Sequence, residues 1–372
     1  MASNNRYKIK TNKNHGGKEF TSSFHFVGKI KPVKNQEKGT DNWVEVPFYR
    51  LEEEGKKKVL EFVIETALSN DLKLKLTGKE KDFVYPYSRK ESKAAKISWE
   101  DRFDKEKYPN DTYHLIDVEW DKIDKLKELV QADTWVEVKG KYSPFEFTDE
   151  QNRNIKGFTR TINYINPIVD GKVKIGEELK PIKVNEKEIT YVCDFESPDF
   201  VEVNTFNMQI GIKSTYQNEN DKSTKVNAAY LVNGVKRSDS RDLELVVYYK
   251  ETDDGNIPLA DAFATLNRTD FIEVTGTDNN RATFGWVDIE SSMDENDPFK
   301  KVSSQSTKPK KERVVNGEKK GLEITGFVEP SLMRNFLTEE EMKKTVEIER
   351  EQNPFKQDDE LPVDISDDEL PF

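Results

Sequence analysis

The stretch between residues 79 and 96 interleaves aromatic and basic side chains. The aromatic residues are Phe83, Tyr85 and Tyr87, and the basic residues are Lys81, Arg89, Lys90, Lys93 and Lys96. The candidate binding residues among them are Lys81, Tyr85, Tyr87, Arg89, Lys90 and Lys93. Aromatic rings can stack on unpaired bases and cationic side chains can neutralise phosphates, so the pattern is typical of a surface that holds a single nucleic-acid strand. A solvated, flexible loop of the same composition is the alternative interpretation.

Further candidates lie in segments whose alternation of apolar and polar residues predicts half-buried β-strands, at 24–31, 43–49 and 60–64. The same alternation predicts that Val44 points inward. Outward positions with basic or aromatic side chains are predicted for Lys29, Lys31, Trp43 and Tyr49, and in later strands for Tyr230 and Tyr248. Outward rings would be stacking platforms, whereas core or cross-strand packing is the ordinary alternative.

The elements that position these residues follow a recognisable order. Apolar residues at helical spacing over 121–131 predict a short amphipathic helix with Asp121 at or near its N-cap. Two more strands are predicted after it, at 135–142 and 158–165. Three strands, a helix and two strands is the order of the OB fold, a small β-barrel.

This order of elements occurs twice along the chain. The similar pairs of segments are 27–31 with 210–213, 60–64 with 243–247, 134–140 with 270–276, and 164–167 with 327–330. Any one similarity could arise by chance, but four in the same order indicate an internal repeat.

The repeat predicts an all-β protein with short helices, built from two tandem OB-fold-like β-barrels and a disordered acidic C-terminal tail. The predicted parts are a flexible basic arm at 1–22, one barrel at 23–168, a connector at 169–189, a second barrel at 190–331, and the tail at 332–372. Unequal separations between the repeated segments place insertions at about 67–112 and 282–320, and loops of that length are commonly functional or disordered.

Charge is distributed unevenly along the sequence. Residues 1–110 hold 24 basic and 17 acidic side chains, whereas residues 338–372 hold 4 basic and 13 acidic ones. The N-terminal part of the sequence is therefore basic and its C-terminal end acidic. The net charge of −12 does not exclude a polyanionic ligand.

Motifs for catalysis are missing from the sequence. We find no phosphate-cradling glycine loop, paired-histidine metal motif or nucleophile elbow, and the single Cys193 cannot form an internal disulfide. We expect no enzyme activity, no cofactor and no metal. With no apolar run of membrane-span length and no signal-peptide core, we expect a cytoplasmic protein without a membrane partner.

The chain ends on acidic residues followed by an apolar terminus. This end, which we call the tip, reads Asp367-Asp368-Glu369-Leu370-Pro371-Phe372. An acidic solubilising tail is one interpretation, but such a tail gains nothing from Leu370 and Phe372. The tip resembles the C-terminus of bacterial single-stranded DNA-binding proteins. In that family the tip recruits replication and repair proteins while OB folds hold the DNA, and the resemblance implies the same division here.

These features predict a sequence-tolerant single-stranded DNA-binding protein of replication, recombination or repair that recruits partners through residues 364–372. Its length and doubled barrel depart from the short bacterial family and look more like a phage or mobile-element protein, acting in the cytoplasm of a bacterial host. Strand annealing or helicase loading is the nearest alternative function. An OB-fold scaffold for protein interactions is an alternative of another class.

The tip analysis generates a direct prediction. Phe372→Ala leaves the net charge unchanged but removes the apolar anchor, so it should abolish capture of replication or repair proteins from a host lysate. DNA affinity should not change, and deleting residues 364–372 should leave it intact or slightly tighter at low salt. If the Phe372→Ala protein captures the same partners as the unaltered protein, the tip only solubilises the chain.

Overall fold

The structure is a computed structural model that describes residues 7–12, 15–37, 41–88, 90, 93–109, 113–114, 118–148, 153–184, 187–234, 236–252, 256–288 and 311–344. At positions 87, 93–94, 113–114, 148, 282–288 and 311–317 the description covers the backbone alone.

Ten long strands dominate the chain, five in each of two barrels. Barrel 1 contains β1 (Ser22–Lys31), β2 (Lys57–Ala67), β3 (Asn70–Lys79), β4 (Trp135–Thr148) and β5 (Asn154–Val169). Barrel 2 contains β6 (Val203–Asn218), β7 (Ser223–Asn233), β8 (Ser238–Tyr248), β9 (Phe271–Asp288) and β10 (Lys311–Phe327).

The pairing of strands is the same in both barrels. In barrel 1, β1 pairs with β2, β2 with β3, β5 with β4, and β4 with β1, all antiparallel, while β3 meets β5 in parallel. Barrel 2 repeats this order from β6 to β10. This is the strand order of the OB fold, so the predicted fold class is confirmed. Barrel 1 closes through a single residue pair between β3 and β5, Lys75 with Thr161.

In the part of the chain that the structure describes, three short α-helices accompany the barrels: α1 (Glu119–Leu126), α2 (Leu259–Ala264) and α3 (Glu339–Met342). Helix α1 lies between β3 and β4 and buries Ile123 and Leu126, as the helical spacing predicts. Its N-cap is Val118 rather than Asp121. Asp121 lies inside the first turn, and its carboxylate accepts hydrogen bonds from Arg102 at 3.1 and 3.2 Å.

Short strands and 3-10 turns fill the connections. The strands are Lys10–Thr11, Lys18–Glu19, Val33–Gln36, Trp43–Val46, Tyr49–Glu52, Phe83–Val84, Tyr87–Ser88, Lys93–Ala94, Ile97–Ser98, Tyr113–His114, Lys172–Ile175, Glu178–Lys180, Ile182–Val184 and Lys187–Ile189. The 3-10 turns are Glu53–Gly55, Glu100–Phe103, Lys127–Leu129 and Glu329–Ser331.

The two barrels join through their first strands. β1 and β6 pair antiparallel with Phe24 opposite Phe206. On the outer sides of this pair, Gly140 of β4 lies opposite Phe24 and Gly276 of β9 lies opposite Phe206. A Cβ at either glycine would collide with a carbonyl oxygen of the next strand and with the phenylalanine ring. The row Gly140, Phe24, Phe206, Gly276 therefore marks a pseudo-twofold axis between the barrels.

Each barrel also extends a hairpin onto the other barrel. On the β4–β5 hairpin, Arg160 donates hydrogen bonds of 2.6 and 2.7 Å to the fully buried carboxylate of Asp278 in β9, and the Tyr142 hydroxyl donates to it at 2.8 Å. Burial works to lower the pKa of Arg160, but the charge and hydrogen bonds of Asp278 outweigh it and raise that pKa. The β9–β10 hairpin extends from barrel 2 onto barrel 1, where the backbone at Arg281 pairs with that at Asn70 of β3.

Several predicted boundaries are wrong. Strand 43–49 is not a barrel strand, because Trp43–Val46 pairs with Val33–Gln36 in a separate ribbon and Val44 is exposed. The third strand of barrel 1 is β3, which occupies the start of the predicted insertion at 67–112. The sequence match of 60–64 with 243–247 consequently pairs β2 with β8, which are not equivalent strands.

Both predicted terminal extensions are shorter than expected, because their inner parts pack on barrel 2. In the arm, Tyr7 packs against Phe271 at a centroid distance of 5.9 Å and its hydroxyl accepts a hydrogen bond from Gln209. At the other end, Leu337 and Met342 are buried in the core. The second predicted insertion, at 282–320, begins and ends as the two arms of the β9–β10 hairpin.

The buried carboxylate between the barrels gives a stability prediction. Asp278→Asn leaves the buried Arg160 guanidinium without its counter-charge, so the free energy of unfolding in urea should fall by about 3–5 kcal/mol. Glu45→Gln, which breaks an exposed pair with Lys34, is the matched control and should change it by at most about 1 kcal/mol. Equal effects of the two variants would show that the Asp278 cluster does not hold the barrels together.

Candidate nucleic-acid interface

Groove 1 is the outer face of β2 and β3, the face on which OB folds bind their ligands. Its floor carries the basic residues Arg50, Lys57, Lys73, Lys75 and Lys79. The register places Glu61 opposite Lys75 in the middle of this floor. Glu61 is already neutralised, because Lys73 and Arg50 each approach its carboxylate to 2.8 Å.

Lys75 differs from the other cations of this floor. Among the described residues, no carboxylate lies within ion-pair distance of its ammonium group, and the side chain is half-buried. Burial lowers the pKa of Lys75, and the positive charges of Lys57 and Arg50 lower it further, whereas Glu61 opposes them. A half-buried positive charge that lacks a partner is a ready contact for an anionic ligand.

One wall of groove 1 is the β4–β5 hairpin. Lys75 lies beside Thr161 of β5, and the hydroxyl of Thr161 is 2.9 Å from that of Ser143 in β4. The same face continues along the hairpin to Phe145 and Phe147, whose rings stack 6.0 Å apart and are half-buried. The wall therefore offers aromatic surface next to the basic floor.

The opposite wall is the connection between β1 and β2. Its ribbon, Val33–Gln36 with Trp43–Val46, holds Trp43 with 63% of its surface exposed. Tyr49 lies behind it, half-buried against the core, with the Lys127 ammonium 4.9 Å from its ring centroid. Trp43 is available to stack on a ligand, whereas Tyr49 already packs on both the protein core and a lysine.

The connection from β3 to α1 forms a small unit beside groove 1, joined to the start of β2 by a hydrogen bond from Glu80 to Lys56. Its own apolar cluster contains Val84, Ile97, Trp99 and Val118. Phe83 and Tyr85 are exposed on its surface, and the Lys96 ammonium lies 3.7 Å from the Phe83 ring centroid. This unit presents the interleaved aromatic and basic side chains that the sequence predicts.

Groove 2 is the corresponding face of barrel 2, a depression of about 450 Å³ between β7, β8 and the end of β6. Tyr216, which is 64% exposed, and the half-buried Tyr248 lie on either side of Lys225. The Lys319 ammonium is 5.0 Å from the Tyr248 ring centroid. The buried hydroxyl of Ser223, which also lines the groove, has no hydrogen-bond partner among the described residues.

The structure corrects one predicted platform. Tyr230 is only 5% exposed and points into the core, where its hydroxyl donates to the Phe20 carbonyl oxygen at 3.0 Å. Lys29 and Lys31 lie at the edge of groove 1 and are engaged in ion pairs, with Asp133 at 2.9 Å and with Glu65 at 2.7 Å respectively. Tyr230 is therefore not available to stack on a ligand.

The other predicted residues divide by what the structure describes. Lys81 and Lys90 are exposed on the unit beside groove 1. The backbone of Tyr87 and Lys93 belongs to short paired strands there. Arg89 and the whole tip, with Asp367, Asp368, Glu369, Leu370, Pro371 and Phe372, lie outside the described residues.

Sequence reasoning missed Lys73, Lys75, Phe145, Phe147 and Tyr216. The lysines were detectable, because residues 72–76 alternate leucine and lysine in the pattern of a half-buried strand. The two phenylalanines alternate with Glu146 in the same manner. Tyr216 gives no such signal, since only the strand pairing shows that it faces groove 2.

Within the part of the chain that the structure describes, no three His, Cys, Asp or Glu side chains come together as metal ligands would. No helix in that part is long and apolar enough to cross a membrane.

Comparison with known proteins gives similar structures but no similar sequences. No protein-family model and no curated protein matches the sequence. The single-stranded DNA binding protein from Thermus aquaticus is similar in structure, both as the wild type and as a deletion mutant. Each is 10% identical to this chain with a TM-score of 0.33, over 70% of this chain and 85% or 86% of the other.

The lowered pKa of Lys75 gives a pH prediction. Contact with a phosphate requires the charged ammonium, so affinity for a nucleic-acid strand should begin to fall at a pH below the ordinary lysine pKa of 10.5. Lys75→Arg should shift this fall in affinity to a higher pH, because a guanidinium stays charged throughout that pH range. Lys73→Arg, which leaves Lys75 in place, should follow the unaltered protein in a fluorescence titration. Parallel curves for all three proteins would remove Lys75 from the interface.

Proposed function

We propose that this protein binds single-stranded DNA with little sequence preference, using groove 1 and groove 2. The observation that carries the proposal is that each groove lies on the ligand face of an OB barrel and combines an exposed aromatic ring with lysines. Trp43 supplies the ring in groove 1 and Tyr216 in groove 2. An unpaired strand offers base faces and phosphates side by side, whereas a duplex hides the base faces from such rings.

The chemistry of the floors supports tolerance of sequence. Lysine ammonium groups recognise phosphates, which are identical at every position of the strand. Aromatic rings stack on any base, because every base has a π-face. We therefore expect affinity to depend on strand length and salt more than on base order.

We further propose a role in replication, recombination or repair, with partner proteins recruited through the tip. The support for this step is the sequence Asp367-Asp368-Glu369-Leu370-Pro371-Phe372 and its resemblance to the tip of bacterial single-stranded DNA-binding proteins. The capture experiment with Phe372→Ala tests recruitment separately from DNA binding.

Titration with single-stranded DNA, duplex DNA and RNA of equal length tests the binding proposal. Trp43→Ala should weaken binding of single-stranded DNA by roughly 5- to 150-fold, because stacking on one ring contributes about 1–3 kcal/mol. Tyr164→Ala is the matched control, since Tyr164 is 65% exposed but lies outside both grooves. No binding of a single strand by the unaltered protein would favour a scaffold for protein interactions, and equal losses in the two variants would remove Trp43 from the interface.

A further inference from the structure

The strand pairing makes it possible to compare the two groove floors position by position. Gly140 and Gly276 sit at the same bulge, opposite Ile162 and Ile324, and one residue before these lie Thr161 and Glu323. Thr161 pairs with Lys75 of β3, and Glu323 pairs with Val246 of β8. Lys75 and Val246 are therefore equivalent positions.

From this anchor the outward residues of β3 and β8 correspond in order. In barrel 1 they are Lys73, Lys75, Thr77 and Lys79. In barrel 2 they are Glu244, Val246 and Tyr248, and Lys250 follows two residues after the end of β8. The two barrels thus share a fold but differ in the chemistry of their floors, since Lys73, Lys75 and Thr77 correspond to an acid, an apolar residue and an aromatic ring.

The ion pairs of the two floors also leave groove 1 more positive than groove 2. In groove 1 the carboxylate of Glu61 is shared by Lys73 and Arg50, which leaves the positive charge of Lys75 unpaired. The floor of groove 2 also carries a cation, Lys225, but Asp221 and Glu244 line the same depression. Lys156 reaches Glu244 at 3.4 Å and Lys319 reaches Glu323 at 2.5 Å, so the cations of groove 2 are offset by acids. Groove 1 is the stronger site for an anion.

The rings show the opposite distribution. Tyr216 and Tyr248 flank the centre of groove 2. The rings of groove 1 lie on its walls, at Trp43 and at Phe145 and Phe147, and its floor offers no aromatic surface.

We infer that the two barrels divide the recognition of one strand: groove 1 binds the phosphodiester backbone, and groove 2 binds unstacked bases. This inference rests on the proposed function and adds which chemical part of the strand each barrel holds. It follows that groove 1 accepts any flexible polyanion of suitable spacing, whereas groove 2 requires nucleobases.

The test uses the full-length protein and two oligomers of equal length, oligo-dT and an abasic deoxyribose-phosphate strand. Replacing Lys73 and Lys75 together by Gln should weaken both oligomers and flatten the salt dependence of oligo-dT binding by up to about 1.4, or about 0.7 for each lost phosphate contact. Replacing Tyr216 and Tyr248 together by Leu should weaken oligo-dT by at least roughly 5-fold, with an unchanged salt slope and unchanged abasic binding.

Two single substitutions keep the test decisive if a double variant fails to fold. Tyr216→Leu alone alters a mostly exposed ring and should show the same selective loss. Val246→Lys copies the floor of groove 1 into groove 2 and should steepen the salt dependence. If the tyrosine variants weaken both oligomers equally, or the lysine variant keeps the salt slope of the unaltered protein, the division of roles is wrong. If the unaltered protein binds neither oligomer, the proposed function itself fails.

Discussion

The antiparallel pairing of β1 with β6 is the interaction on which the rest of the architecture depends. The first half of each strand pairs with the other barrel, and the second half pairs with the next strand of its own barrel. One continuous sheet therefore passes through both barrels. Because Phe24 faces Phe206 at its centre, the two grooves are related by the same axis, and each hairpin extends across it to the other barrel.

Much of this fold could be predicted from the sequence, and the errors have a physical cause. The segments at 134–140 and 270–276 match because Gly140 and Gly276 occupy the same crowded bulge, where no other residue fits. Strands without such a constraint are not distinguishable by alternation alone. The match of 60–64 with 243–247 slipped by one strand for this reason, since neighbouring half-buried strands carry the same alternating pattern.

The site was less predictable than the fold, because its properties arise between strands. Tyr230 lies on the same face of β7 as the buried Val226 and Ala228, and its hydroxyl donates to the carbonyl oxygen of Phe20 in the arm. The pKa of Lys75 is lowered first by burial, then raised in part by the charge of Glu61 and lowered further by the charges of Lys57 and Arg50. The pairing of β3 with β2, and of β2 with Tyr49–Glu52, brings these groups together. Alternation identifies a surface position, but it does not identify the neighbours.

The β4–β5 hairpin has one face in each site. Its Phe145 face lines groove 1, while Lys156 on its other face contacts Glu244 on the floor of groove 2. A ligand that shifts this hairpin as it enters groove 1 must also shift the Lys156 contact in groove 2. Any coupling free energy that this contact carries between the two sites is the same in either direction. A strand that displaced the hairpin in one groove would then change the affinity of the other groove.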